Sequence, residues 1–225
     1  MSIFEPNDPL VIGRRERQEA ERTMLEAEKK NLLAQLGSTV REVAVSAAEE
    51  LRRRGRLSDG SLQGADLRRA SLQEAYLSGA DLSQANLIFA RLTKANLDHA
   101  DLTRASLSLA DLDKVVLAKA NLSGADLWHA NLSGADLTRA NLSGASLCNA
   151  DLSGAFLIEV DLSRADLTRT NLSGAYLRGA NLICAVLTGS NLEKANLSEA
   201  EVTDQQLAQA ASLKGATMPN GTKHD

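Results

Sequence analysis

Residues able to carry out catalysis or to bind a metal are few and widely separated in this 225-residue sequence. The three histidines are His99, His129 and His224, and the two cysteines are Cys148 and Cys184. They form no cluster with metal-ligand spacing, and the serines recur without a nucleophile elbow or a partnered base. No glycine-rich phosphate loop joins a strand to a helix. The sequence therefore predicts a protein that is not an enzyme and that uses no cofactor and no metal.

The composition points to a narrow, uniform core. Hydrophobic residues make up 44% of the chain but aromatic residues only 3%, so leucine and alanine must build the interior. A core of this kind leaves no central cleft for a substrate. The net charge of −4 gives no basic footprint, which argues against direct nucleic-acid binding.

The sequence also predicts a cytoplasmic protein without a transmembrane segment. The longest apolar run near the N-terminus, residues 9–12, is far too short to span a bilayer, and no secretory signal is visible. The two cysteines lie in different repeats, which favours free thiols in a reducing compartment.

The elements that must position these residues follow a five-residue period. Every fifth residue from Leu57 to Leu197 is leucine, and the residue two positions earlier is nearly always alanine. The exceptions after residue 60 are Val115, Val160, Thr170 and Ser190. In extended chain, residues two apart face the same way, so the leucine and the small residue should both point inward. Recurrent Ser-Gly pairs, such as Ser123-Gly124, predict type II turns with glycine at the position of positive φ.

The repeated unit, Ala-Asp/Asn-Leu-Ser/Thr-x, resembles that of the pentapeptide-repeat proteins over about two-thirds of the chain. The resemblance implies an all-β solenoid, a right-handed quadrilateral β-helix in which four units, or 20 residues, form one coil. For this chain we expect about seven coils, with short α-helical caps at both ends and a charged N-terminal helix. The corresponding segments are a charged arm at 1–36, a capping helix at 37–56, the β-helix at 57–202 and a C-terminal cap and tail at 203–225.

The predicted N-terminal cap has clear start and stop signals. Ser38 or Thr39 is expected as the N-cap, Thr39 and Glu42 have capping-box spacing, and Gly55 should end the helix. Its apolar face is expected to cover the first coil; its members are Val40, Val43, Ala44, Ala47 and Leu51.

The C-terminal segment is predicted to cap the other end of the β-helix. At the C-terminal end, Thr203 and Gln206 predict a capping box that opens a short helix, followed by a turn at residues 219–221. Leu207, Leu213 and Met218 are expected to cover the last coil.

The N-terminal arm is predicted to form a charged helix over 13–37 with a thin apolar stripe at Leu25, Leu32 and Leu36. Both a solvated helix and a coiled-coil or partner-docking arm fit this pattern.

Two sets of outward apolar residues break the polar pattern when residues are assigned to faces by the 20-residue period. The first set, which we call the Trp128 patch, is Ile88, Phe89, Leu109, Trp128, His129 and Cys148. It predicts a contact surface, although scattered surface residues or a dry site under the N-terminal arm fit as well. The second set, the Phe156 cluster, is Phe156, Ile158 and Tyr176. An aromatic ladder that supports stacking is the favoured interpretation of this cluster.

These observations favour a non-catalytic protein-interaction scaffold with a protein partner of unknown identity. Self-association through the Trp128 patch or the N-terminal helix is a further expectation. The resemblance to gyrase-inhibiting family members implies an alternative, a DNA-mimic modulator of DNA gyrase or topoisomerase. Residues 57–201 carry 17 acidic and 12 basic residues, a net charge of −5 that is weak for such mimicry. A third hypothesis is a peripheral membrane-associated or regulatory adaptor.

Overall fold

The computed structural model of the chain describes residues 9–225, and side chains from residue 14 onward. Three helices are present in this range: α1, Pro9–Leu36; α2, Arg41–Arg53; and α3, Asp204–Leu207. Parallel β-bridges occupy the chain between α2 and α3. The predicted charged helix and both shorter helices are therefore found. The part of the arm at residues 1–8 lies outside the described residues.

Bridged residues lie 20 positions apart, as a coil of four units requires. One column joins Asp66, Asn86, Ser106, Asp126, Ser146, Asp166 and Val186 in parallel pairs. Each bridge uses hydrogen bonds on both sides; for example, the Asp126 N–H donates to the Ala105 carbonyl and the Leu127 N–H donates to the Ser146 carbonyl. Within residues 9–225 the pairing consists of isolated bridges and no longer strand forms, because a turn interrupts every five-residue unit.

The inward positions are occupied as the sequence predicts. Repeat leucines and alanines such as Leu132 and Ala130 are almost fully buried. Burying a leucine contributes roughly 1.5–3 kcal/mol before the opposing chain entropy. The two hydroxyl residues in this interior are satisfied locally: Thr170 Oγ1 donates to the Leu147 carbonyl at 2.7 Å, and Ser190 Oγ donates to the Leu187 carbonyl at 2.8 Å. The core is thus a continuous ladder of leucine with small residues.

A turn with one residue at positive φ closes every unit. Gly124 has φ of +64°, as predicted, and the Ala125 N–H closes the turn on the Leu122 carbonyl at 3.0 Å. The preceding asparagine supports it, because Asn121 Oδ1 accepts from the Ser123 N–H at 3.2 Å. However, nineteen non-glycine residues between positions 69 and 199 adopt the same conformation. The bridges on both sides of each turn fix the backbone there, whatever the side chain.

The start of α2 differs from the prediction. The N-cap is Val40, and neither Ser38 nor Thr39 caps the helix; the Thr39–Glu42 capping box is therefore wrong. The backbone before the helix is held by the first coil instead, since Ser71 donates its N–H to the Ser38 carbonyl and its Oγ to the Thr39 carbonyl, both at 2.8 Å. Ser38 Oγ accepts from the Val40 N–H.

The buried face of α2 is also rotated from the predicted one. Ala44, Ala47 and Leu51 are buried as expected, but Val40 and Val43 are exposed, and Ala48 takes part in the buried face. Gly55 ends the helix as predicted: it has φ of +66°, its N–H donates to the Arg52 carbonyl, and the Arg56 N–H donates to the Leu51 carbonyl.

Helix α1 packs on the rest of the protein only near its C-terminal end. Leu36 is buried and Leu32 is packed against the core, whereas Leu25 is exposed. An ion pair between Glu28 and Arg54, 2.8 Å apart, joins α1 to the end of α2. Residues 14–28 are exposed, and the predicted stripe therefore makes contact only at its second half.

The C-terminal segment follows the prediction and adds one more layer. Thr203 and Gln206 form the capping box, and Gln206 Nε2 also donates to the carbonyls of Leu182 and Ala185 at 2.7 and 2.9 Å. Leu207 is buried, and Leu213 and Met218 pack against the core. Residues 212 and 217 bridge to 191 and 196, which shifts the repeat by one residue to accommodate α3. The turn at 219–221 then returns the chain in an antiparallel bridge.

Candidate interaction surface

The structure places the Trp128 patch on successive coils of one face. The bridges from Asn86 through Ser106 and Asp126 to Ser146 run beside it and fix its register. Phe89, Leu109 and Trp128 are 48%, 38% and 43% exposed. Ile88 and Cys148 are half-buried, and His129 is exposed. All six predicted residues therefore share one face, and apolar side chains are accessible on three consecutive coils.

Local contacts hold the aromatic side chains of this patch. The rings of Trp128 and His129 meet edge to face, with centroids 4.1 Å apart. The backbone N–H of Trp128 donates to Asp126 Oδ1 at 3.1 Å, and Asp126 Oδ2 accepts from Ser108 Oγ at 2.6 Å. Asp126 thus supports the turn that presents the tryptophan.

The N-terminal arm leaves this surface accessible. Helix α1 packs on α2, and the three apolar side chains in the middle of the patch stay exposed. The described part of the arm therefore does not cover the patch, and the interpretation of the patch as a dry site under the arm is not supported.

The thiol of the patch cysteine has a raised pKa. Burial raises the pKa of the Cys148 thiol, and the hydrogen bond and charge of Asp166 raise it further. A thiol with a raised pKa holds little thiolate at neutral pH. Cys148 and Cys184 are both free thiols, and Cys148 contributes to the patch as a small, soft surface group.

The Phe156 cluster lies on another face and forms the predicted ladder. The rings of Phe156 and Tyr176 stack with centroids 5.0 Å apart and planes inclined by 6°. Ile158, two residues after Phe156 in the same repeat unit, is half-buried. A role for this cluster as a second contact surface stays a prediction.

The predicted patch does not include two basic residues that lie on the same face. Arg69 and Arg169 occupy the same outward position as Phe89 in other coils of this face, and the Arg69 guanidinium lies 5.9 Å from the Phe89 ring centroid. The 20-residue period that groups the patch also groups these arginines, so it is the signal that could have found them.

Comparison with known protein families gives one match. A family model described as pentapeptide repeats matches eight copies between residues 56 and 201. The chain belongs to the pentapeptide-repeat family. Membership implies a right-handed quadrilateral β-helix, in agreement with the 20-residue bridge pattern. Pentapeptide-repeat proteins are generally non-enzymatic structural or interaction proteins.

Solved pentapeptide-repeat structures are similar to parts of this chain. Rfr23 from the cyanobacterium Cyanothece 51142 is 40% identical over 42% of this chain and 60% of its own, with a TM-score of 0.38. HetL from the cyanobacterium Nostoc sp. strain PCC 7120, a protein involved in heterocyst differentiation regulation, is 33% identical over 80% of this chain and 99% of its own, with a TM-score of 0.32. A thylakoid-lumen protein from Arabidopsis thaliana, AT2G44920, is 29% identical over 48% of this chain and 72% of its own, with a TM-score of 0.40. Among curated proteins, no relative matches.

Two further observations concern the described residues of this pentapeptide-repeat protein. No group of three or more histidine, cysteine, aspartate or glutamate side chains among them is arranged to hold a metal ion. None of the helices formed by these residues combines the length and apolar character needed to cross a bilayer.

Proposed function

We propose that this pentapeptide-repeat protein is a non-catalytic scaffold that binds a partner protein through the Trp128 patch. The observation that carries the proposal is the exposure of Phe89, Leu109 and Trp128 on three consecutive coils of one face. Aromatic residues grouped on an exposed surface are typical of the centre of a binding site.

The proposed architecture suits a rigid support. We infer about seven coils, closed by α2 at one end and by α3 with the tail at the other. The contacts of Ser71 with residues 38–39 and of Gln206 with the last coil support these caps. A filled leucine core holds the patch in a fixed geometry, which lowers the entropy lost on binding. We place the protein in the cytoplasm, where its two free thiols would stay reduced.

The DNA-mimic alternative has less support. Its acidic surface would need to be continuous, yet arginines pair with carboxylates between coils. Arg139 Nε lies 2.8 Å from Glu159 Oε2, and Arg178 Nη1 lies 3.3 Å from Glu199 Oε2. These pairs interrupt the negative potential along one face.

Affinity capture from native lysate tests the proposal. The bait proteins are the wild type, a Phe89→Glu/Trp128→Glu variant and a matched Phe156→Glu/Tyr176→Glu variant on another face. Glutamate already occurs at the equivalent turn positions of Phe89 and Trp128, for example at Glu159 and Glu193, so folding should be retained. Circular dichroism checks this.

The expected result is a partner captured by the wild type and by the Phe156/Tyr176 variant but lost from the Phe89/Trp128 variant. Equal capture by all three folded baits would show that the Trp128 patch is not the binding surface. Gyrase captured equally by all three would instead favour the DNA-mimic alternative.

A further inference from the structure

We propose that the Trp128 patch receives an amphipathic helix of the partner, with an apolar stripe in its middle and carboxylates near both ends. The inference rests on the proposed function and specifies the chemistry of the ligand. It follows from the arrangement of charge and apolar surface along one outward column. In chain order, this column contains Arg69, Phe89, Leu109, His129, Asn149, Arg169 and Gly189.

The two arginines at the ends of the apolar stretch are available for a partner. Among the described side chains, neither Arg69 nor Arg169 forms an ion pair. The adjacent Arg68 differs, because it makes a two-point contact with Asp66 at 2.8 and 2.7 Å. Arg69 and Arg169 therefore present unpaired positive charge on either side of the exposed apolar residues.

The separation of these charges sets the length of the ligand. Arg69 and Arg169 lie five coils apart, which at about 4.8 Å per coil is about 24 Å. Both side chains lean toward the following coil: Arg69 lies over Phe89, and Arg169 Cγ is 3.4 Å from where a Cβ on Gly189 would lie. Because both arginine side chains point toward the following coil, their guanidinium groups keep the separation of about 24 Å. A helix covers about 24 Å in about 16 residues.

The spacing of the apolar residues favours a helix over an extended ligand. A helix presents a side chain on one face about every 5.4 Å, close to the coil spacing of about 4.8 Å. Aligned along the stack, its successive turns would meet Phe89, Leu109 and Trp128 in order. An extended strand repeats a face about every 6.8 Å and loses this register within two coils.

The surface favours a peptide over a membrane. The carboxylate of Asp126 lies at the edge of the same face, beside Trp128. Anionic lipid attracts clusters of four to eight basic residues in roughly the same place, and two arginines about 24 Å apart do not form such a cluster. Paired carboxylates on a helix match their separation directly.

Fluorescence of Trp128 provides a direct test, because it is the single tryptophan of the chain. The probe is a synthetic helical peptide of about 20 residues with leucine along one face, glutamates at both ends about 16 residues apart, and no tryptophan. A second peptide has lysine in place of the glutamates. Vesicles of phosphatidylcholine with phosphatidylserine form a third arm.

We expect the glutamate peptide to change the Trp128 emission and to bind about tenfold more tightly than the lysine peptide. An Arg69→Glu/Arg169→Glu variant should lose this preference. A Lys94→Glu/Arg164→Glu variant, which reverses two charges at the same turn position on other faces, should keep it.

Equal or tighter binding of the lysine peptide would overturn the assignment of charge, and no Trp128 response to either peptide would overturn the helix ligand. A Trp128 response to vesicles without discrimination between peptides would assign the patch to membranes. The proposed function fails separately, through loss of partner selectivity in the lysate experiment.

Discussion

Replacing Lys119 by glycine should stabilise the protein. Lys119 is exposed, forms no ion pair within the described side chains, and has φ of +56° in its turn. A left-handed conformation costs an L-residue roughly 1–2 kcal/mol, which glycine avoids. Glycine in turn loses roughly 0.5–1 kcal/mol through the greater freedom of the unfolded chain. The free energy of unfolding should therefore rise by about 0.5–1 kcal/mol.

Urea unfolding followed by circular dichroism measures this change. The matched control is Ala118→Gly, one residue earlier in the same turn and at ordinary φ. It should lower the free energy of unfolding by about 0.5–1 kcal/mol, because only the entropic loss remains. If Lys119→Gly is no more stable than the wild type, or if both glycines change stability alike, the proposed strain at these turns is refuted.

Three further substitutions or conditions test the core, the C-terminal end of the chain and the C-terminal end of α2. Leu132→Ala should lower the free energy of unfolding by about 2–5 kcal/mol in urea titration, since it opens a cavity in the ladder; a loss below that range would mean that the core closes around the gap. Gln206→Ala should lower the free energy of unfolding by about 1–3 kcal/mol and speed amide hydrogen exchange in the last coil, because two hydrogen bonds to carbonyls are lost. Unchanged exchange in that coil would contradict the capping role of Gln206. Hydrogen bonds and charge from Arg53 and Arg54 lower the pKa of Glu50 to about 2, so this contribution to stability is complete above the ordinary glutamate pKa and disappears as pH falls towards 2. Protection factors in α2, obtained from amide exchange rates divided by the intrinsic rate at each pH, should therefore fall between pH 5 and 2, and constant protection factors would contradict this contribution.

The five-residue period predicts the interior because it depends on backbone geometry alone. Leucine and alanine two positions apart must face the same way in extended chain, and the structure confirms this along the whole ladder. The end of α2 at Gly55 and the start of α3 at the Thr203 capping box are also predicted, because the residues of each segment make the hydrogen bonds that define it.

The failures arise where tertiary contacts override a local preference. Ser38 and Thr39 are good capping residues, but their carbonyls bind Ser71, and the helix starts after Val40. The neighbouring coils impose positive φ even on Lys119, where sequence propensity favours glycine.

The sequence predicts which residues of the Trp128 patch share a face, whereas their role in binding stays a prediction. Assigning faces by the 20-residue period places all six residues of the Trp128 patch on one face, as in the structure, since bridged columns keep a constant register. The exposure of each side chain depends on how its neighbours lean, and the pairing of Arg68 with Asp66 leaves Arg69 available. Such side-chain arrangements require coordinates.

Site-specific photo-cross-linking tests the central claim most directly. A photoreactive phenylalanine analogue is placed at Leu109, in the middle of the Trp128 patch, or at Lys119, at the same turn position on another face. Both proteins are irradiated in native lysate after circular dichroism confirms folding. Our account predicts a discrete cross-linked protein from position 109 and none from position 119. The same products from both positions, or none from position 109, would contradict the proposal that this face binds a partner protein.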